Sequence, residues 1–169
     1  MMLIYHPAFD LHHCVFRMVR LLNRLPPGRY HLERIRILDF YLLFPGQIPS
    51  MRFPQNLREQ KKRFKEGGGK YERIVDSYRI FLRLEPFQTE ALGCLASHGL
   101  ILPSALLEGF VERTKQEIPA KLKAAAEASD QKFPEAIELL TGPLVEIQLH
   151  GRNGLKGRTN LFEYRYDPV

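Results

Sequence analysis

Apolar residues recur at three- and four-residue steps over residues 32–45, where Leu32, Ile35, Leu38, Leu42 and Leu43 would share one face of a helix. Ile37, Phe40, Tyr41 and Phe44 widen that face until little of its second half is polar. A helix apolar nearly all round belongs inside, so neighbours must cover it on several sides. Pro45-Gly46 stops it, because proline disfavours helical geometry in the residue before it and glycine tolerates the turn that follows. Upstream, Asp10 can cap a helix over residues 11–25 with Leu11, Cys14, Val15, Met18, Leu22 and Leu25 as its buried stripe. Arg17, Arg20 and Arg24 line up elsewhere on it. Pro26-Pro27-Gly28 ends this helix, and so short a link makes the two helices antiparallel neighbours.

Residues 46–55 are proline-rich with Ile48, Met51 and Phe53 interspersed, the pattern of an ordered, extended connection whose apolar residues need somewhere to pack. Asn56 can cap a short helix over 57–66 that carries Arg58, Lys61, Lys62, Arg63 and Lys65, and Gly67-Gly68-Gly69 breaks it. A further amphipathic helix is expected over about 70–84, burying Tyr71, Ile74, Val75, Tyr78 and Phe81 or Leu82. Residues 87–102 read as a compact helix with Thr89 as cap, Ala91, Leu92, Leu95 and Ala96 inside, and Gly99 in the left-handed position at its end. Helices follow over 104–117, over 120–128 after Pro119, and over 134–140 before Thr141-Gly142-Pro143.

The period then changes from helical to two. Val145, Ile147 and Leu149 alternate with polar residues, as do Phe162, Tyr164 and Tyr166. With the glycine-rich stretch 150–158 between them, these runs predict a β-hairpin whose long tip carries Arg152, Lys156 and Arg158. A hairpin placed after helices resembles the wing of a winged-helix domain, and the run Ala91–Ile101 resembles the helix-then-Gly-Leu-Ile ending of such domains. The expected fold is therefore mainly α with a C-terminal β-hairpin, a winged-helix-like α+β arrangement. Residues 1–169 form a single domain, divided into a helical half 1–84, a helical middle 85–143 and a hairpin wing 144–169.

Composition sharpens this in three ways. A hydrophobic share of 44% with eleven Phe and seven Tyr can fill a core, which argues against global disorder. The two cysteines, Cys14 and Cys94, make no disulfide framework and read as reduced core residues of a cytoplasmic protein. No signal peptide is expected at the start, and no stretch approaches the ~20 apolar residues of a membrane span. Charge is unevenly placed: residues 1–84 carry +9, residues 85–143 carry −4 and residues 144–169 carry +1. A basic half beside an acidic one suits a nucleic acid for the first and a protein for the second; ordinary solvated faces would look the same.

Few residues invite catalytic chemistry. His6, Asp10, His12, His13 and Cys14 are all potential metal ligands, but no second cluster supplies ligands at regular spacing, so packing and capping explain them better. Gly67-Gly68-Gly69-Lys70 lacks the phosphate-loop pattern, since Tyr71 stands where a Mg²⁺-binding hydroxyl belongs. With no nucleophile elbow or paired acidic motif, neither catalytic residues nor a cofactor or metal are expected. The best binding candidates are Arg58, Lys61, Lys62, Arg63 and Lys65, with Arg152, Lys156 and Arg158 second. Such residues meet phosphates without reading sequence.

Two stretches carry a family resemblance: Tyr5-His6-Pro7-Ala8-Phe9-Asp10-Leu11-His12-His13-Cys14-Val15-Phe16-Arg17, and Glu33-Arg34-Ile35-Arg36-Ile37-Leu38-Asp39-Phe40-Tyr41-Leu42-Leu43-Phe44-Pro45. They resemble the start of the small middle components of bacterial ABC three-component systems, the Lamassu-type anti-phage modules. The resemblance spans about residues 5–53. It implies a non-catalytic accessory subunit that works with an SMC-like ABC ATPase and an effector, often a nuclease; the basic segments add the expectation that the subunit contributes to sensing double-stranded DNA. A stand-alone winged-helix DNA-binding regulator is the alternative, and a metal-dependent enzyme built on His6–Cys14 a third class.

Overall fold

The computed structural model describes residues 6–66 and 76–168, with only the backbone of Lys65 and Glu66. The lead-in before His6, the triple glycine, and Tyr71, Ile74 and Val75 lie outside the described residues. Helix α1 runs Leu11–Arg24, and the Asp10 carboxylate accepts from the His13 amide at its start (3.0 Å). A short strand, β1 (Arg29–His31), leads directly into α2 (Leu32–Leu43). Every residue from Arg34 to Leu42 in α2 is buried, as its apolar breadth requires. Two 3₁₀ segments, Pro45–Ser50 and Gln55–Leu57, then lead to α3 (Arg58–Glu66). The connection is ordered, with Ile48 and Met51 in the core, but half of it is helical rather than extended.

The helices expected over 70–84 and 87–102 are, within the described residues, one helix, α4 (Ser77–Ser97). Asp76 caps it by accepting from the Arg79 amide (3.1 Å), so Thr89 lies mid-helix and exposed. Pro86 inside it has no N–H for the carbonyl of Leu82. The helix runs through because Phe81, Leu84, Gln88, Ala91, Leu92 and Leu95 keep one buried face on both sides of the proline. Gly99 takes the left-handed conformation as expected (φ +76°), and the Leu100 amide closes the helix end onto the Leu95 carbonyl (3.0 Å).

Residues 104–117 depart from their helical reading. Helix α5 is only Pro103–Leu107, Gly109 turns the chain at φ +85°, and β2 (Phe110–Glu112) follows. Strand β2 pairs antiparallel with β1, Tyr30 opposite Val111. On the other side of β2's continuation, residues 100–102 lie antiparallel through the Ile101–Arg113 bridge, with Leu102 donating to Glu112 (2.9 Å) and Thr114 to Leu100 (3.1 Å). Helices α6 (Ala120–Lys132) and α7 (Pro134–Thr141) complete the layer over α1 and α2.

The C-terminal hairpin is absent from the described residues. Residues 143–154 form successive turns, and a five-residue helix, α8 (Leu155–Thr159), occupies part of the expected tip. The alternation at Val145–Leu149 does track partial burial, yet those amides turn back on nearby carbonyls (Val145 to Gly142, Ile147 to Leu144) instead of a partner strand. Close packing explains the compaction. A Cβ on Gly154 would stand 2.1 Å from the His150 carbonyl oxygen, and one on Gly157 2.3 Å from that of Arg152.

Candidate nucleic-acid interface

Helix α3 is fastened by Leu57 and Phe64, both buried, which leaves its remaining positions to polar residues. Its cations do not share one direction. Arg58 and Lys62 are exposed, and Lys62 meets Glu59 one turn back (3.2 Å), a surface pair of little energetic weight. Lys61 lies partly buried over the Phe53 ring (5.6 Å) and donates to the Met51 carbonyl (3.2 Å). Arg63 lines a cavity of about 250 Å³ with Gln60, Phe64, Glu135, Glu138 and Leu139, towards acidic α7. The side chain of Lys65 lies outside the described residues.

The second basic segment is divided as well. Arg152 is exposed and Arg158 half-buried, but Lys156, expected beside them, is only 5% exposed. Its ammonium pairs with Glu33 (2.8 Å) and Asp167 (3.4 Å) and lies 5.4 Å from the Phe162 ring. Lys156 is therefore a tether of the C-terminal segment to the start of α2, and no phosphate can reach it as placed. Burial works to raise the Asp167 pKa, but the Gly151 amide (2.9 Å), Lys156 and His150 outweigh it and hold the carboxyl below its usual value. His150 approaches Asp167 (3.5 Å) and meets His31 edge-on (5.3 Å). Desolvation first, then the His150 charge, lowers the pKa of His31.

The two basic segments nevertheless meet, at a residue that sequence reasoning passed over. Arg52 donates its amide to the Arg158 carbonyl (2.9 Å), and Arg158 Nη1 donates to the Arg52 carbonyl (3.1 Å). The Arg52 guanidinium donates to the Arg152 carbonyl, and Lys61 reaches the adjacent Met51. Among the described residues none of Arg52, Arg58, Arg152 and Arg158 takes part in an ion pair. Desolvation and then the charge of Arg52 lower the Arg158 pKa. The signal for Arg52 was faint: a lone exposed cation between buried Met51 and partly buried Phe53.

Chemically, such a surface holds oxyanions. It offers no acid–base pair, and no three His, Cys, Asp or Glu side chains converge as a metal site among the described residues. His6 accepts from the Ala8 amide (3.1 Å) and Asp10 caps α1, so two members of the N-terminal cluster serve as caps. Cys14 is buried beside Asp39 and Arg17, and burial, reinforced by Asp39, pushes its thiol up to about 12, far from a reactive thiolate. No described helix is long and apolar enough to cross a membrane.

A model of the family described as "ABC-three component (ABC-3C) system Middle Component 5" matches residues 3–167. No curated protein and no solved structure matches the chain.

Proposed function

Because the chain belongs to the ABC-three component system Middle Component 5 family, we propose that it is a non-catalytic accessory subunit of a cytoplasmic anti-phage defence complex of the Lamassu type. In this reading it bridges an SMC-like ABC ATPase and an effector such as a nuclease, and contributes to sensing double-stranded DNA. The observation that carries the DNA part is the meeting of two basic segments at Arg52 without a carboxylate partner among the described residues. Lysine and arginine gathered in this way bind duplex backbone by displacing condensed counterions. No aromatic side chain is interleaved among Arg58–Arg63 for base stacking, which favours duplex over single strand.

A stand-alone winged-helix regulator is the second reading, and the strand order favours it. Residues 29–31, 110–114 and 100–102 lie side by side in that order, with α1 ahead of the first, α2 following it and α4 just ahead of residues 100–102, as in a winged helix whose wing is 103–109 rather than the C-terminal segment. Against it stands the surface of α4, where the helix that would enter a groove exposes Leu82, Glu85, Pro86, Thr89 and Glu90. Arg79 and Arg83, also exposed on α4, are taken up by Asp76 and the Phe9 ring, while the two carboxylates would repel phosphates and Leu82 and Pro86 suit a protein neighbour better.

The deciding experiment is purification of the chain from its native operon, followed by duplex binding across a salt series. Recovery with an ATPase carrying Walker motifs and long heptad arms, with a salt-dependent and sequence-indifferent affinity, is expected. Recovery alone, with a footprint on one palindromic site, would establish the regulator instead.

A further inference from the structure

We propose that Arg52, Arg152 and Arg158 form a preformed seat for a phosphate oxyanion, supplied naturally by the phosphodiester backbone of duplex DNA. The seat rests on the DNA reading above for its natural ligand, though not for its existence. Arg52 lies 100 residues before Arg152 and 106 before Arg158, and the three are joined by main-chain carbonyls rather than by acids. Arg52 and Arg158 exchange bonds through each other's carbonyls (2.9 and 3.1 Å), Arg52 donates to the Arg152 carbonyl, and Arg158 Nε donates to that of Asn153 (2.6 Å).

A guanidinium has five N–H donors. Arg158 commits two and Arg52 one to these carbonyls, so both keep donors free while two bonds hold the Arg158 plane and one anchors Arg52 beside it. Carboxylate-free guanidinium forks anchored in this way suit the bidentate recognition of phosphate. Two like charges joined through each other's carbonyls favour any anion that comes between them, and the Arg158 pKa is lowered by desolvation first and then by the Arg52 charge.

Gly157 sets the geometry. Its missing side chain lets the Arg152 carbonyl approach α8, since a Cβ would stand 2.3 Å from that oxygen. The carbonyl that orients Arg52 is thus placed by a glycine that carries no charge itself.

The test uses the full chain in chloride buffer with two probes. Inorganic phosphate is titrated while the arginine Nε–H resonances are followed by NMR, and duplex affinity is then measured across a salt series. Saturable movement of the Arg52 and Arg158 resonances is expected, lost at Arg52 when Arg158→Ala is introduced. Duplex affinity should fall about tenfold in Arg52→Ala and in Arg158→Ala, each with a salt slope shallower by about 0.9. Arg52→Lys keeps the charge without the fork, so affinity should drop while the slope stays, and this variant decides the matter where an alanine disturbs folding. Gly157→Ala should weaken binding with every charge retained.

Absence of saturable movement at Arg52 and Arg158 would overturn the seat. So would wild-type duplex affinity in both alanine variants while Lys62→Ala weakens binding, a result that leaves DNA contact through α3 intact. Movement with phosphate but no duplex binding, with or without the ATPase, would uphold the seat and sink the DNA reading, leaving a free phosphate or nucleotide as the ligand.

Discussion

Two buried cations hold this molecule together in different ways. Arg17 grips Asp39 with two bonds (2.7 and 3.2 Å) between α1 and α2, and Gln88 of α4 donates to the same carboxylate (2.8 Å) while accepting from Arg36 (2.9 Å). Asp39 is wholly buried and Arg17 nearly so, and every partner stands on a helix of the core. Lys156 binds Glu33 and Asp167 instead, one more than a third exposed and the other on the final described residues. The first cluster has a sealed centre in Arg17 and Asp39, reaches the surface through Arg36 and exposed Glu85 (3.3 Å), and ties three long elements to one another. The second is open at its rim and ties a turn-rich segment to the start of α2. A charge sealed from water loses its solvent alternative when a partner is removed, and an exposed one recovers it.

The sealed cluster should therefore give the largest effect. Asp39→Ala leaves Arg17 without its acceptor and the Gln88 amide with only the Arg36 carbonyl (3.2 Å), and should cost about 3–5 kcal/mol. Against a total of roughly 5–15 kcal/mol this lowers the denaturation midpoint sharply, and an unchanged midpoint would show that water reaches Arg17. Leu38→Ala, at a fully buried position on α2, should cost about 2–5 kcal/mol in the same assay. Lys156→Met should cost less, about 1–3 kcal/mol, and confine its effect. Amide exchange should quicken over residues 145–168 while α1 and α2 keep their protection; uniform quickening would merge the two clusters into one.

The ring that touches both clusters sharpens the comparison. Phe162 lies 5.0 Å from the Arg36 guanidinium and 5.4 Å from the Lys156 ammonium, and it meets Phe81 edge-on at 5.0 Å. Phe162→Ala, at a half-buried position, should cost roughly 2 kcal/mol and make the effects of Asp39→Ala and Lys156→Met more nearly additive. A double-mutant cycle unchanged by the loss of the ring would show that the clusters do not communicate through it.

The smallest expected effect is on acidification. Because the folded pKa of Asp167 is depressed, the unfolded chain binds more protons there in the acid range. The tether's contribution is whole above the unfolded carboxylate value of about 3.9 and is lost as pH falls through the folded value. Limited proteolysis should thus release the C-terminal segment below about pH 4, and Asp167→Asn should remove that dependence. Release at the same pH in the Asn variant would assign it to another group.

Where apolar spacing alone sets an element, the sequence announced it. The helical period of residues 11–25 and 32–45 and the Asp10 cap are visible because each depends on residues within a turn or two. Arg17 and Asp39 were hidden, since a charge on a helix reads as solvated until a third element, here Gln88 on α4, supplies what burial demands. The C-terminal misreading has a similar cause. Alternation at Val145–Leu149 reports a chain with one covered side, and it does not say whether a strand pairs with it. In residues 104–117, Gly109 and the β1 edge outweighed helix propensity, because a buried Val111 on a paired strand gains more than an exposed helical turn. As for the candidate interface, charge counting grouped Lys156 with Arg152 and Arg158, although its placement depends on Glu33 more than a hundred residues upstream. Arg52 was overlooked because a single cation makes no cluster until the fold brings others to it.

The glycine that caps α8 and the one inside it also govern how this chain can change over generations. At Gly154 and Gly157 even a methyl group would displace main-chain oxygens, so drift there is closed to every other residue unless the whole turn is rebuilt. Gly151 stands a few residues away with open space around it, and its φ of +83° asks only for a residue that tolerates the left-handed region, such as asparagine. The spacing Gly-Leu-Lys-Gly, with lysine answering an acid at the head of α2 and another near the terminus, is thus a fingerprint with a mechanical origin. Distant chains that keep it alongside an acid at position 33 would share this C-terminal fold, even where the helices between have diverged beyond recognition.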